Sequence, residues 1–281
     1  INEYVYGLSS FCLSYDEGDR NDVLELSVQV SMTPNIGANN RLSPSITAVL
    51  KDNSGNTADP DNSWVSVTVV ASTGSDYDYF MGNSAMGSSD QTNEIEPGAK
   101  TYIQLPLISG FVLTYDGSDH QITTISASTT LNISPGSSKG IVTSLAEMRD
   151  SSENFATGKA QGGYLCSTSS NVGVVSTRLN GQQTTDAFAI DFGTPLSSCA
   201  AFLSAFTVCY PDNEAHMINN VTIGVGTKAG SVATISSSDN SVVSIPCAQS
   251  KVASNGHDDY SDDKKSSVDI VVLAIKQEGD Q

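Results

Sequence analysis

Three stretches of this chain spell the same strand. They are Leu8-Ser-Ser-Phe-Cys-Leu-Ser-Tyr15, Ile108-Ser-Gly-Phe-Val-Leu-Thr-Tyr115 and Leu203-Ser-Ala-Phe-Thr-Val-Cys-Tyr210, starting 100 and 95 residues apart. Each reads apolar-Ser-small-Phe-x-apolar-x-Tyr. An acidic residue follows four places after each Tyr, at Asp19, Asp119 and Glu214, and then a basic or imidazole side chain, Arg20, His120 or His216. An alternating run comes next: Val23-Leu-Glu-Leu-Ser-Val28, Ile122-Thr-Thr-Ile-Ser-Ala127 and Ile218-Asn-Asn-Val-Thr-Ile223. The later parts agree more loosely. Ile46–Asp52 parallels Val142–Asp150, and each copy is expected to close on an apolar strand, Trp64–Ala71, Val172–Ser176 or Val268–Ala274. A period of this length exceeds the roughly 20–50 residues of a solenoid unit. Each copy is long enough to bury a small core of its own.

The hydrophobic period is two rather than 3.6, and Asp-, Asn- and Gly-rich turns such as Asp116-Gly-Ser-Asp119 punctuate the runs. This predicts an all-β chain of three tandem antiparallel β-sandwich domains over residues 1–75, 76–180 and 181–281. Copies two and three carry a leading segment ahead of the Tyr-bearing strand, Gln91–Gly98 and Thr185–Gly193. The matching segment of copy one would fall before Ile1. The expectation is an open sheet edge in the first copy, with upstream residues removed or a strand donated by another chain. The chain starts at Ile1 without Met, as a chain that is processed, trimmed or incomplete at that end would.

The 281 residues carry 13 Lys and Arg against 31 Asp and Glu, a net charge of −18. Phosphate binding needs clustered cations, so nucleic acid is excluded as a partner, and so is docking on anionic lipid. No apolar run approaches the ~18 residues of a membrane span, which argues against insertion. Five cysteines, Cys12, Cys166, Cys199, Cys209 and Cys247, show no CxxC spacing, so neither a zinc site nor a disulfide scaffold is expected. Few lysines and abundant Ser, Thr and Asn point to an extracellular location.

Three histidines and no H-E-x-x-H helix leave no nucleophile nominated, so the chain reads as a non-enzyme with no catalytic residues. The repeated turn is the candidate ligand site: Asp16, Asp19 and Arg20; Asp116, Asp119 and His120; Asp212, Glu214 and His216. These residues serve either as hairpin formers or as three polar pockets for sugar hydroxyls. Their oxygens also suit Ca²⁺, and Asp258–Asp263 is the denser Ca²⁺ candidate; no other cofactor is expected. Trp64, the single tryptophan, is a candidate for stacking on a sugar ring.

The strand Leu107-Ile-Ser-Gly-Phe111, the turn Asp119-His120, the run Ile122–Leu131 and the closing strand Val268–Ala274 resemble the H-type (snail agglutinin-like) lectin domain. The resemblance implies six-stranded antiparallel sandwiches of ~100 residues that associate in threes, with a sugar site between neighbours. Three fused copies would be similar to one such trimer in a single chain. Two functions are therefore expected. The first is multivalent glycan binding and adhesion. The second is a structural subunit of a virion, fibre or surface appendage that binds neighbouring copies of itself and has its first strand supplied by a neighbour.

Overall fold

A computed structural model describes residues 3–16, 19–35, 41–72, 79–97, 102–134, 137–167, 173–210, 216–226, 228, 230–253 and 264–277. They form an all-β molecule, and no helix is long and apolar enough to cross a membrane. The first third holds β1 (Glu3–Ser14), β2 (Glu25–Asn35), β3 (Arg41–Lys51) and β4 (Trp64–Ser72). The middle holds β5 (Tyr79–Asn83), β6 (Gly87–Ser88), β7 (Gln91–Ile95), β8 (Ile103–Thr114), β9 (Thr124–Ile133), β10 (Gly140–Arg149) and β11 (Thr157–Ser167). The last holds β12 (Val174–Gln182), β13 (Phe188–Asp191), β14 (Leu196–Cys209) and β15 (Asn220–Gly224). It closes with β16 (Thr234–Ile235), β17 (Val242–Ile245), β18 (Gln249–Ala253) and β19 (Ser267–Lys276).

Three large antiparallel sheets run in the orders β18-β15-β1-β4, β3-β2-β8-β11-β5 and β12-β19-β14-β9-β10-β7, beside a small sheet β13-β17-β16. Each large sheet takes strands from two thirds of the sequence. The alternating strands β2, β9 and β15 leave their own third and pair with β8, β14 and β1. The sheets are thus shared between thirds of the chain. The physical reason is that the three Phe-Tyr strands bury one shared core. Phe11, Phe111 and Phe206 pack ring on ring with centroids 5.6, 5.9 and 5.5 Å apart, all essentially inaccessible. Aromatic contacts of this geometry add to the burial of their area.

The repeated serine has a definite job. β1/β4, β8/β11 and β14/β19 pair with the same interruption, so Ser9, Ser109 and Ser204 each bulge out of the ladder. All three are buried. The Ser9 hydroxyl donates to the Ala201 carbonyl (2.7 Å) and the Ser109 hydroxyl to the Tyr6 carbonyl (2.8 Å), each tying one third to another. Ser204 instead donates to Asp269 of the neighbouring strand (3.3 Å). A small hydroxyl residue fits because a bulge aims its side chain inward and the hydroxyl must be satisfied there.

Two boundaries differ from expectation. The strand beside the middle Phe-Tyr strand is β11, and Val174–Gln182 forms β12, which pairs outside β19. β12 also crosses the expected domain boundary at 180/181. The strands that cover the outer sides of β11 and β19 are β5 and β12, which lie ahead of the expected leading segments Gln91–Gly98 and Thr185–Gly193; those segments hold β7 and β13. In addition, β7 covers the outer side of β10.

Candidate functional site

The turns after the three tyrosines converge at one end of the shared core. Backbone bridges join Asn21 to Ile218, His120 to Val23 and His216 to Ile122. Each bridge is a reciprocal pair of N–H···O bonds of 2.8–3.0 Å, as in Val23 N–H to His120 O (2.8 Å) and His120 N–H to Val23 O (3.0 Å). The slots thus abut, where the sequence suggests that they sit apart. The residue standing in the place of His120 and His216 is Asn21, not Arg20. Asn21 and His216 lie six places after Tyr15 and Tyr210, and His120 lies five after Tyr115. Arg20 is exposed beside the slot.

Below this ring lie two matching loops. Asp52 Oδ1 accepts the N–H groups of Ser54 and Asn56, both at 2.9 Å, and the Asn56 amide donates to Oδ2. Asp150 repeats the arrangement with Ser152 (2.8 Å), Asn154 (2.9 Å) and the Asn154 amide (2.8 Å). The shared pattern Asp-x-Ser-x-Asn is the signal that could have found both loops. Each aspartate braces the slot of its own third. His120 Nδ1 lies 2.8 Å from Asp150 Oδ2. The Asn21 amide oxygen accepts the Asn56 amide at 3.0 Å, or, with the Asn21 amide turned over, its nitrogen instead donates to Asp52 Oδ2 at 3.2 Å. The turns also reach across: Asp119 Oδ2 accepts the Asn53 N–H at 3.2 Å.

The imidazoles of His120 and His216 lie against the rings of Tyr115 and Tyr210 at 4.2 Å. Burial pushes the Tyr15 hydroxyl above its ordinary value, helped by the charges of Asp52, Asp119 and Asp22. Burial and the Asp150 charge do the same to Tyr115. Tyr15 donates to the Asp22 carbonyl at 3.2 Å. These tyrosines are neutral wedges under the turns.

Ser118 Oγ lies 3.2 Å from His120 Nε2, so Ser118, His120 and Asp150 stand in the order of a serine-hydrolase relay. The sequence did not nominate this serine; its signal is Ser118-x-His120 in the turn. Asp116 and Asp119 share that turn, and their charges oppose the oxyanion that would develop on a carbonyl attacked by Ser118. The arrangement suits a bracket for the turn better than a nucleophile.

An open pocket of about 230 Å³ forms where the first turn meets the Asp52 loop, lined by Tyr15, Asp16, Asp19, Asn21, Asn56 and Asp59 among others. It gathers Asp16 and Asp19 from the expected site. Asp116, Asp119 and His120 belong to the second turn, and Asp212 and Glu214 lie outside the described residues. Trp64 stands opposite Cys12 at the start of β4, half-buried and apart from the pocket lining. Among the described residues no three His, Cys, Asp or Glu side chains stand in a metal-binding group, and Asp258–Asp263 lies outside them. No family model matches the chain, and neither a curated protein nor a solved structure matches it.

Proposed function

We propose that this chain is a non-enzymatic structural subunit of an extracellular assembly such as a fibre, surface appendage or particle. It is read as three related β-units whose first unit is completed by a strand from a neighbouring chain. One observation carries the reading. Among the described strands, β4 has no partner on its outer side, whereas the strands in equivalent positions, β11 and β19, are covered by β5 and β12; β3 and its counterpart β18 are also sheet edges, while β10 in the same position is covered by β7. Exposed strand edges are templates for association. The protein isolated from its native source is expected to run in light scattering as an assembly well above its own 29.4 kDa, indifferent to added sugars. A monodisperse monomer with no associated chain would overturn the reading.

Glycan binding is the second reading, favoured by the pocket of Asp16, Asp19, Asn21, Asn56 and Asp59. Carboxylates and amides there match sugar hydroxyls, but the one ring on its wall, Tyr15, is buried and offers no stacking face. A glycan resin that retains the protein until a monosaccharide releases it, and that does not retain Asp19→Ala, would favour it.

A further inference from the structure

The two bare edges of the first third, β3 and β4, differ in chemistry, and the difference selects one of them. In β3 the Lys51 carbonyl points inward and accepts the Leu24 N–H, while the Leu50 carbonyl points outward to the Ala58 N–H. Backbone groups alternate along a strand, so Pro44, like Leu50, faces outward, where it has no N–H to offer. Its counterpart in β10 is Val142, which pairs with Asn93 of β7. β3 also begins at Arg41 and ends at Lys51. Proline and end charges are the devices that keep an edge unpaired.

β4 has none of these. Its nine residues, Trp-Val-Ser-Val-Thr-Val-Val-Ala-Ser, include no proline and no charge. Val67 stands opposite Leu8 as Gly162 stands opposite Ile108, and the Gly162 carbonyl accepts the Ser84 N–H on the outer side. Val65, Val67, Val69 and Ala71 therefore turn their N–H and C=O groups outward. The same four side chains share one face. Val69 is 38% exposed and Ala71 is exposed, whereas Val272 and Ala274, their counterparts in β19, are fully buried. An unguarded edge and a half-covered core face coincide.

We infer that β4 is the acceptor, and that its occupant is an extended segment of a distinct, neutral or basic polypeptide, added antiparallel to β4. This rests on the strand-donation reading above and names its partner. The template is β12 on β19, where Val175, Thr177 and Leu179 face Ala274, Val272 and Ile270. A donor then presents apolar or β-branched residues at alternate positions, opposite Ala71, Val69 and Val67. Charge selects against a second copy. Each chain carries −18, and the uncharged β4 is fringed by Asp59 and Asp61 at its start and Glu3 opposite its end, so like chains repel along this edge.

The test is hydrogen exchange on the full chain with a synthetic peptide copying Val174–Gln182, whose single charged side chain is Arg178, against a scrambled peptide. The expected result is exchange slowed at least about tenfold in residues 64–72 and unchanged in 41–51. Val67→Pro removes an outward N–H that bonds nothing among the described residues, and Val69→Lys adds a gatekeeper charge. Both should abolish the protection, and Val69→Lys, at a side chain 38% exposed, should do so with the unfolding midpoint in place. Failure of the peptide to protect 64–72 overturns the inference. Protection of 41–51 instead also overturns it but leaves strand donation standing. So does protection of 64–72 that grows with protein concentration alone, which makes a second copy the occupant. No protection at either edge, together with a monomeric native protein, removes both.

Discussion

A methyl group added at Gly7 would lie 3.0 Å from Cδ1 of Phe202. It would also sit 3.2 Å from Cβ of Leu107 and 3.3 Å from the Ile108 carbonyl. Gly7, Leu107 and Phe202 each stand four places before a shared-core phenylalanine, so one layer of the core is filled by none, a medium and a large side chain. Fused thirds can divide a layer unequally in this way; three identical chains cannot. Gly7→Ala should destabilise by about 1–3 kcal/mol through overpacking, and Phe202→Leu added to it should recover part of the loss. Denaturant titration of the two single variants and the double variant checks this; additive losses would show that the residues do not share the layer.

Ser109 offers a polar test of the same interlock. Its hydroxyl donates to the Tyr6 carbonyl, and the Asn83 amide donates both to that carbonyl (2.7 Å) and to the serine oxygen (2.5 Å). Ser109→Ala leaves Tyr6 one donor and should cost about 1 kcal/mol, whereas Asn83→Leu strands the Tyr6 N–H and should cost about 1–3 kcal/mol. Equal midpoints for both variants and the parent would refute the assignment.

Much of this fold is legible in the sequence. The period-two runs give the strands, and the repeated Phe and Tyr mark the shared core. Strand partners are not legible, because periodicity shows which face of β2 is buried but not that its neighbour is β8. The slot of Asn21 is missed because the second turn is one residue shorter than the other two, which makes Arg20 look like the partner of His120. The Asp52 and Asp150 loops look like ordinary turns until their hydrogen bonds are seen. The open edge at β4 is not located by the leading segments Gln91–Gly98 and Thr185–Gly193, which hold β7 and β13 rather than the strands that cover β11 and β19. Its contrast with β3 is not legible either, because that depends on which way Pro44 points.

Two aspartates near the converging turns should respond to acid in opposite directions. Burial acts to raise Asp150, but hydrogen bonds from Asn154, His120 and Ser152 outweigh it and hold the carboxyl below its ordinary value. A lowered folded value means the native state binds fewer protons. The stabilisation is present above the unfolded value of about 3.9 and is lost as pH falls through the folded one. Asp22 is raised by burial and by Asp119, and its Oδ1 is buried with no partner among the described residues. Its native state binds more protons, so stability falls as pH rises from the unfolded value through the folded one. Asp150→Asn should therefore destabilise at pH 7, and Asp22→Asn should stabilise. Both differences should shrink toward pH 3 in thermal melts, and the same sign for both would refute the reading.

All five cysteines are free thiols. Cys166 and Cys247 are buried, while Cys12, Cys199 and Cys209 are half-buried. Burial pushes the Cys166 thiol up to about 12. At pH 8 its thiolate fraction is then about 10³-fold smaller than that of a free cysteine near 8.5, before any effect of access. Cys247 is likewise raised by burial, and its sulfur accepts the Gly226 N–H at 3.1 Å. Iodoacetamide labelling followed by peptide mass mapping should modify Cys12, Cys199 and Cys209 first in the native protein. Cys166 and Cys247 should react only on the timescale of unfolding, so their labelling rates should rise together with denaturant and converge on the unfolding rate. Rapid labelling of Cys166 under native conditions would mean that the β5–β11 edge opens, since Cys166 pairs there with Phe80 beneath the stacked rings of Phe80 and Tyr164.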